Sequence, residues 1–140
     1  MGNPRVTSQS PRTLLIVDDE PDILAAFKAL IEATLGVRVL TAASGPEGLE
    51  VLEREPVAVV VSDFKMPGMD GITFLAEVRR LHPAARRLMF TAYATPDIIE
   101  RIRTADVAQE VVAKGGDPLL FLDRLRAILG LAPRVTGERR

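Results

Sequence analysis

Five short apolar runs constrain this chain more tightly than any other feature. Four are nearly unbroken: Leu14–Val17, Val57–Val61, Leu88–Phe90 and Val111–Ala113. The fifth, Val37–Leu40, is interrupted by Arg38. Runs this short and this rich in Val, Leu and Ile read as strands buried on both faces. The segments between them carry apolar residues at helical spacing instead. Alternation of this kind requires right-handed crossovers and a parallel sheet covered by helices on both faces. The expected fold is α/β: a doubly wound, five-stranded parallel sheet with five helices. Arg38 places the second strand at a sheet edge.

The helical segments carry their own start and stop signals. Asp22–Leu35 sets Ile23, Ala26, Phe27, Leu30, Ile31 and Leu35 at helical spacing, and Gly36 ends it. Ser44-Gly45-Pro46-Glu47 matches a capping box with proline in the first turn. Ile72–Leu81 aligns Ile72, Leu75, Val78 and Leu81. Thr95-Pro96 opens a helix with Ile98, Ile99 and Ile102 as its core stripe. Asp117-Pro118 caps a last helix carrying Leu119, Leu122, Leu125, Ile128 and Leu129.

In such sheets, ligands bind beyond the carboxyl ends of the strands. The residues there are Asp18, Asp19 and Glu20 after the first strand, and Asp63 after the third. Thr91 and Ala92 follow the fourth, and Lys114 follows the fifth. Clustered carboxylates resist ionising together unless a cation joins them. An oxygen-only donor set suits a hard ion, and Mg²⁺ is the usual choice beside phosphate. A lysine and a hydroxyl add donors for a phosphoryl group. An aspartate in that setting can act as a nucleophile and form an aspartyl phosphate. Plainer roles stand beside these. Asp18-Asp19-Glu20 could cap the first helix, Asp63 could be a turn residue, and Lys114 could be a solvated lysine.

Composition removes several function classes. The chain has 140 residues, enough for one ordinary domain. With no cysteine it has no disulfide framework and no thiolate metal site, and His82 is its one histidine. A net charge of −1 supplies no basic field for nucleic acid or anionic membrane. No apolar run approaches the ~20 residues of a spanning helix. Met1–Pro11 is polar and lacks the apolar core of a signal peptide, so the cytoplasm is the expected compartment.

Four motifs, L-L-I-V-D-D-E, V-V-S-D-F-K-M-P-G-M-D-G, M-F-T-A and V-V-A-K, occur in order at the expected strand ends. Together they resemble the response-regulator receiver domain, the phospho-accepting module of two-component signalling. The resemblance covers Arg12–Leu131 and implies the flavodoxin-like strand order 2-1-3-4-5. It implies that Asp63 is the phospho-acceptor and Asp19 the direct Mg²⁺ ligand. Asp18 matches the neighbouring acid that holds metal-bound water, and Lys65 the position whose backbone carbonyl completes the metal site. Thr91 matches the hydroxyl that turns onto the phosphoryl group, Ala92 the small residue that leaves it room, and Lys114 the lysine that pairs with it. Pro67, Gly68 and Gly71 match the loop that shapes the site. Lys65 and Tyr93 match positions that tune access of water to the phosphoryl group.

The resemblance also implies the partners. A histidine kinase or phosphotransfer protein is the donor. An output partner reads the face formed by the fourth helix, fifth strand and fifth helix, and a homodimer is compatible with that face. The domain is a switch rather than a turnover enzyme, with at most autocatalytic phosphotransfer and autodephosphorylation. No direct nucleic-acid or membrane binding is expected. Residues 1–11 read as an N-terminal tail, 12–131 as the receiver domain, and 132–140 as a tail or the start of a linker.

Three positions depart from the family pattern. Lys114 is followed by Gly115-Gly116-Asp117, with proline only at Pro118. Val111 stands where the family usually carries Tyr or Phe, and Val107 where glycine often precedes the last strand. These departures motivate the alternative of a phosphorylation-independent interaction module. A dehalogenase-type phosphatase fits less well, because its two acids stand two apart and D-D-E makes them adjacent. Asp70 reads as a turn or cap residue rather than a ligand, and His82 as a solvated residue. Arg79-Arg80 and Arg86-Arg87 read as exposed faces.

Overall fold

A computed structural model describes residues 12–132. The chain alternates strictly: β1 (Thr13–Val17), α1 (Pro21–Leu35), β2 (Arg38–Ala42), α2 (Gly45–Arg54), β3 (Val59–Ser62). It continues with α3 (Gly71–Leu81), β4 (Arg86–Thr91), α4 (Pro96–Ala105), β5 (Glu110–Ala113) and α5 (Pro118–Leu129). All strand pairings are parallel, in the order β2-β1-β3-β4-β5. The α/β class, the order 2-1-3-4-5 and the edge position of β2 match the expectations. The tails at 1–11 and 133–140 lie outside the described residues.

Alternation along each buried strand divides the core. Leu14, Ile16, Val59, Val61, Leu88 and Phe90 pack with Leu24 and Ile31 of α1 and with Phe121, Leu122 and Leu125 of α5. Leu15, Val17, Val60 and Met89 pack on the other face with Val51 and Leu52 of α2, Phe74, Leu75 and Val78 of α3, and Ile102 of α4. Each fully buried side chain of this size contributes about 1.5–3 kcal/mol, so both layers stabilise the sheet between them. Phe27, Phe90 and Phe121 form a ring cluster, with Phe90 and Phe121 stacked at 4.0 Å.

Side-chain caps set the helix starts. Ser44, Asp70, Thr95 and Asp117 each accept a backbone N–H of the following turn. Asp70 is therefore a cap, as expected. The acids of D-D-E do not cap α1: its N-cap Glu20 makes no side-chain cap bond. Gly36 ends α1 in the left-handed region at φ 68°. The β2 edge is covered by α1. Lys28 Nζ donates to the Val39 carbonyl at 2.7 Å, and Glu32 accepts the Val39 N–H at 3.2 Å. That pair occupies backbone groups which would otherwise template pairing with another strand.

Several expectations need correction. Arg87 is not on an exposed face: it is 6% exposed, and it donates to the carbonyls of Val107 and Ala85. These bonds let β4 begin at Arg86 rather than Leu88. Leu81 and Leu119 are exposed; Phe74 joins the expected Leu75 and Val78 in the core of α3, and Phe121 joins Leu122, Leu125, Ile128 and Leu129 in that of α5. Ile99 is also exposed, so α4 is held by Ile102 with Ile98 partly buried beside it. His82 is half-buried where it closes α3.

Candidate functional site

The carboxyl ends of β1, β3, β4 and β5 bring the site together. Register places Val17 beside Ser62, so Asp18 and Asp63 leave adjacent strands at the same level. Asp63 N–H donates back to the Val17 carbonyl at 3.0 Å, and Asp18 N–H to the Ala42 carbonyl at 3.1 Å. The last paired residues of β4 and β5 are Thr91 and Ala113, and Lys114 N–H donates to the Thr91 carbonyl at 2.8 Å. The sheet thus sets these side chains down in one place before any of them interacts.

Carboxylate oxygens of Asp18, Asp19 and Asp63 lie within 4.8 Å of one another. Asp18 and Asp63 are buried and Asp19 is exposed. Lys114 Nζ stands between the two buried acids, 2.5 Å from Asp18 Oδ2 and 3.1 Å from Asp63 Oδ2. Burial by itself would drive the proton off this ammonium. The hydrogen bonds to Asp18 and Asp63 outweigh that, and the Lys114 pKa is held above the usual lysine value. The remaining oxygens are also assigned. Asp18 Oδ1 accepts the Glu20 N–H at 2.9 Å, and Asp63 Oδ1 accepts the Phe64 N–H at 2.7 Å.

A cleft of about 420 Å³ opens over this cluster, lined by Asp19, Glu20, Asp63, Lys65, Met66, Pro67, Ala92, Tyr93 and Lys114. Lys65 and Tyr93 face each other across it, with Lys65 Nζ 5.1 Å from the ring centroid. Thr91 is fully buried beside Lys114, and its hydroxyl accepts the Tyr93 N–H at 3.0 Å.

The loop after Asp63 is held by close backbone approach. Gly71 N–H donates to the Phe64 carbonyl at 2.7 Å. A Cβ on Gly71 would lie 2.2 Å from the Asp63 carbonyl oxygen, so only glycine lets α3 start there. Gly68 takes φ 82° in the same loop. Beyond Lys114, Gly115 takes φ 81°, and Asp117 then caps α5. The Gly-Gly pair therefore completes a turn, with no cis peptide bond among the described residues.

Three hard oxygen donors, clustered and short of positive charge, fit a divalent cation of the Mg²⁺ type. Of the residues singled out at the strand ends, Asp19, Glu20, Asp63, Ala92 and Lys114 line the cleft and Asp18 joins the carboxylate cluster. Thr91 lies buried outside the cleft lining, with its hydroxyl held by the Tyr93 N–H. The role of Phe64 was missed. Its aromatic ring reads from sequence as core, and nothing in the pattern marks its amide as a partner of Asp63.

A family model described as the response regulator receiver domain matches residues 14–126. Among curated proteins, the transcriptional regulatory protein GlrR of Escherichia coli K12 is 40% identical over 93 residues, covering 66% of this chain and 21% of GlrR. The response regulator protein PilR of Pseudomonas aeruginosa is 33% identical over 129 residues, covering 90% of this chain and 27% of PilR. The chain therefore spans about a fifth to a quarter of these relatives. Among solved structures, a CheY-like receiver domain protein of Methanospirillum hungatei is 30% identical with a TM-score of 0.79, covering 86% of this chain and 95% of that one. The response regulator TrrA of Thermotoga maritima, solved in complex with Mg²⁺ and BeF, is 26% identical with a TM-score of 0.75, covering 84% and 98%.

Proposed function

Because the chain belongs to the response regulator receiver domain family of two-component signalling, we propose that Asp63 is its phospho-acceptor, with a histidine kinase or phosphotransfer protein as donor and Mg²⁺ as cofactor. One observation carries this reading: Asp18, Asp19 and Asp63 converge, and Lys114 bridges the two buried acids.

In the transfer, an Asp63 carboxylate oxygen forms the new P–O bond as the donor's P–N bond breaks. The electron pair leaves with the donor imidazole, which is protonated by solvent. Asp18, Asp19, Asp63 and the Lys65 carbonyl are the groups that would hold the metal ion. When bound, the ion supplies the positive charge that lets the carboxylates and an anionic phosphoryl group share one site. Lys114 then exchanges the Asp63 carboxylate for a phosphoryl oxygen, a strong charge-assisted partner. Ala92 leaves the phosphoryl group room, and the Thr91 hydroxyl turns from the Tyr93 N–H toward it.

The consequence is a population shift between two states of the domain. The face formed by α4, β5 and α5 carries exposed Ile99, Leu119 and Leu120 and is the surface for an output partner or a second copy. The domain acts as a switch in the cytoplasm, its boundaries near 12 and 131, and not as a turnover enzyme. The intact carboxylate cluster argues against the phosphorylation-independent alternative. Among the described residues, no helix is long and apolar enough to cross a membrane.

Titration with beryllium fluoride and Mg²⁺, followed by NMR, tests the reading. Saturable shifts at Asp63, Thr91 and Lys114 are expected, and Asp63→Asn removes them. An unresponsive wild-type spectrum at saturating reagent would overturn it.

A further inference from the structure

Phe64 joins Asp63 to α4. Its N–H donates to Asp63 Oδ1 at 2.7 Å, and its carbonyl is held by the Gly71 N–H, also at 2.7 Å. Its buried ring lies under the Arg101 guanidinium of α4, 5.3 Å from the ring centroid. Ile102 is the single fully buried residue of α4. A helix so thinly anchored responds to one added or lost contact. Arg101 also lines a groove between α3 and α4 with Ile72, Glu100, Thr104 and Ala105.

We propose that the Phe64–Arg101 contact transmits the charge state of Asp63 to α4. The inference rests on the reading of Asp63 as phospho-acceptor. A carboxylate oxygen makes a strong charge-assisted bond to the Phe64 amide. Once either oxygen is esterified to phosphorus, the carboxyl group loses its formal charge and that bond weakens. With its carbonyl anchored at Gly71, the Phe64 peptide turns about that anchor, and the ring shifts beneath Arg101. Arg101 is a positioning residue for α4 in this scheme and touches no reacting atom.

Hydrogen exchange of α4 in the full chain tests the proposal. It is measured with and without acetyl phosphate and Mg²⁺, with intact mass recorded on the same samples. In wild type, phosphorylation is expected to change α4 exchange about 2- to 5-fold, the size of an exposed cation–π contact. Arg101→Ala, at an exposed position, gains the phosphoryl group but loses most of that change. Arg101→Lys restores part of it, and Phe64→Leu, which keeps the site apolar, also loses it. A full wild-type response in Arg101→Ala, or an unchanged α4 in phosphorylated wild type, would overturn the inference. Absence of any mass gain in wild type would instead overturn the Asp63 reading, and this inference with it.

Discussion

The Lys114 ammonium lies 2.5 Å from the Asp18 carboxylate, although 96 residues separate the two in sequence. The same nitrogen holds Asp63 at 3.1 Å. One half-buried cation thus bridges two buried acids, and with the exposed Asp19 the group still carries excess negative charge. The pair shows why the carboxyl edge of this sheet can concentrate charge without coming apart.

This arrangement makes stability sensitive to alkaline pH. The folded-state pKa of Lys114 is raised, against its burial, by hydrogen bonds to Asp18 and Asp63. Its contribution is therefore complete below the unfolded lysine value of about 10.4 and is lost as pH rises through the folded value. Urea unfolding of metal-free protein at pH 8 and pH 11 should show a larger loss for wild type than for Lys114→Met. Equal losses would mean that the pair contributes nothing.

Asp19 separates metal binding from folding. It is exposed, while Asp18 and Asp63 are tied to Lys114. Asp19→Asn should leave metal-free stability within about 0.5 kcal/mol, as for an ordinary surface change. It should also abolish the rise in Tm that Mg²⁺ gives wild type. Thermal melts with and without Mg²⁺ read both effects, and a retained rise would remove Asp19 from the metal site.

Gly71 and Gly116 give opposite outcomes for one substitution. A Cβ on Gly71 meets backbone at 2.2 Å and 2.9 Å, whereas on Gly116 the nearest atom is the Ala113 carbonyl oxygen at 3.6 Å. Gly71→Ala should cost ~3 kcal/mol, because backbone on both sides must shift. Gly116→Ala should stay within about 0.5 kcal/mol. Denaturant midpoints compare them directly.

Lys65 and Tyr93 cover the mouth of the cleft through a cation–π contact at 5.1 Å. The phosphoryl group should outlast a few seconds at room temperature. Removing the cover in Tyr93→Ala should hasten its loss about 2- to 5-fold, the size of an exposed contact of this kind. Phosphate release after removal of the donor measures the rate, and loss within seconds from wild type would contradict this account.

Much of this architecture was legible from residue order. Buried parallel strands leave unbroken apolar runs, and a chain that alternates strand with helix has few ways to fold, so Asp18, Asp63 and Lys114 could be placed at one edge. Arg87 escaped because two backbone carbonyls, remote from any pattern around it, make its burial tolerable. Leu81 and Leu119 misled because helical spacing finds an apolar stripe but not its limits, and Phe74 and Phe121 take the buried places. The Phe64 amide was invisible, since backbone hydrogen bonds to a side chain depend on loop geometry rather than residue type.

Intact mass after incubation with acetyl phosphate and Mg²⁺ tests the central claim most directly. Wild type should gain one phosphoryl group, lose it when treated with hydroxylamine as acyl phosphates do, and gain none as Asp63→Asn. A wild-type chain that gains no mass at saturating donor, or an Asp63→Asn chain that gains as much, would contradict the account.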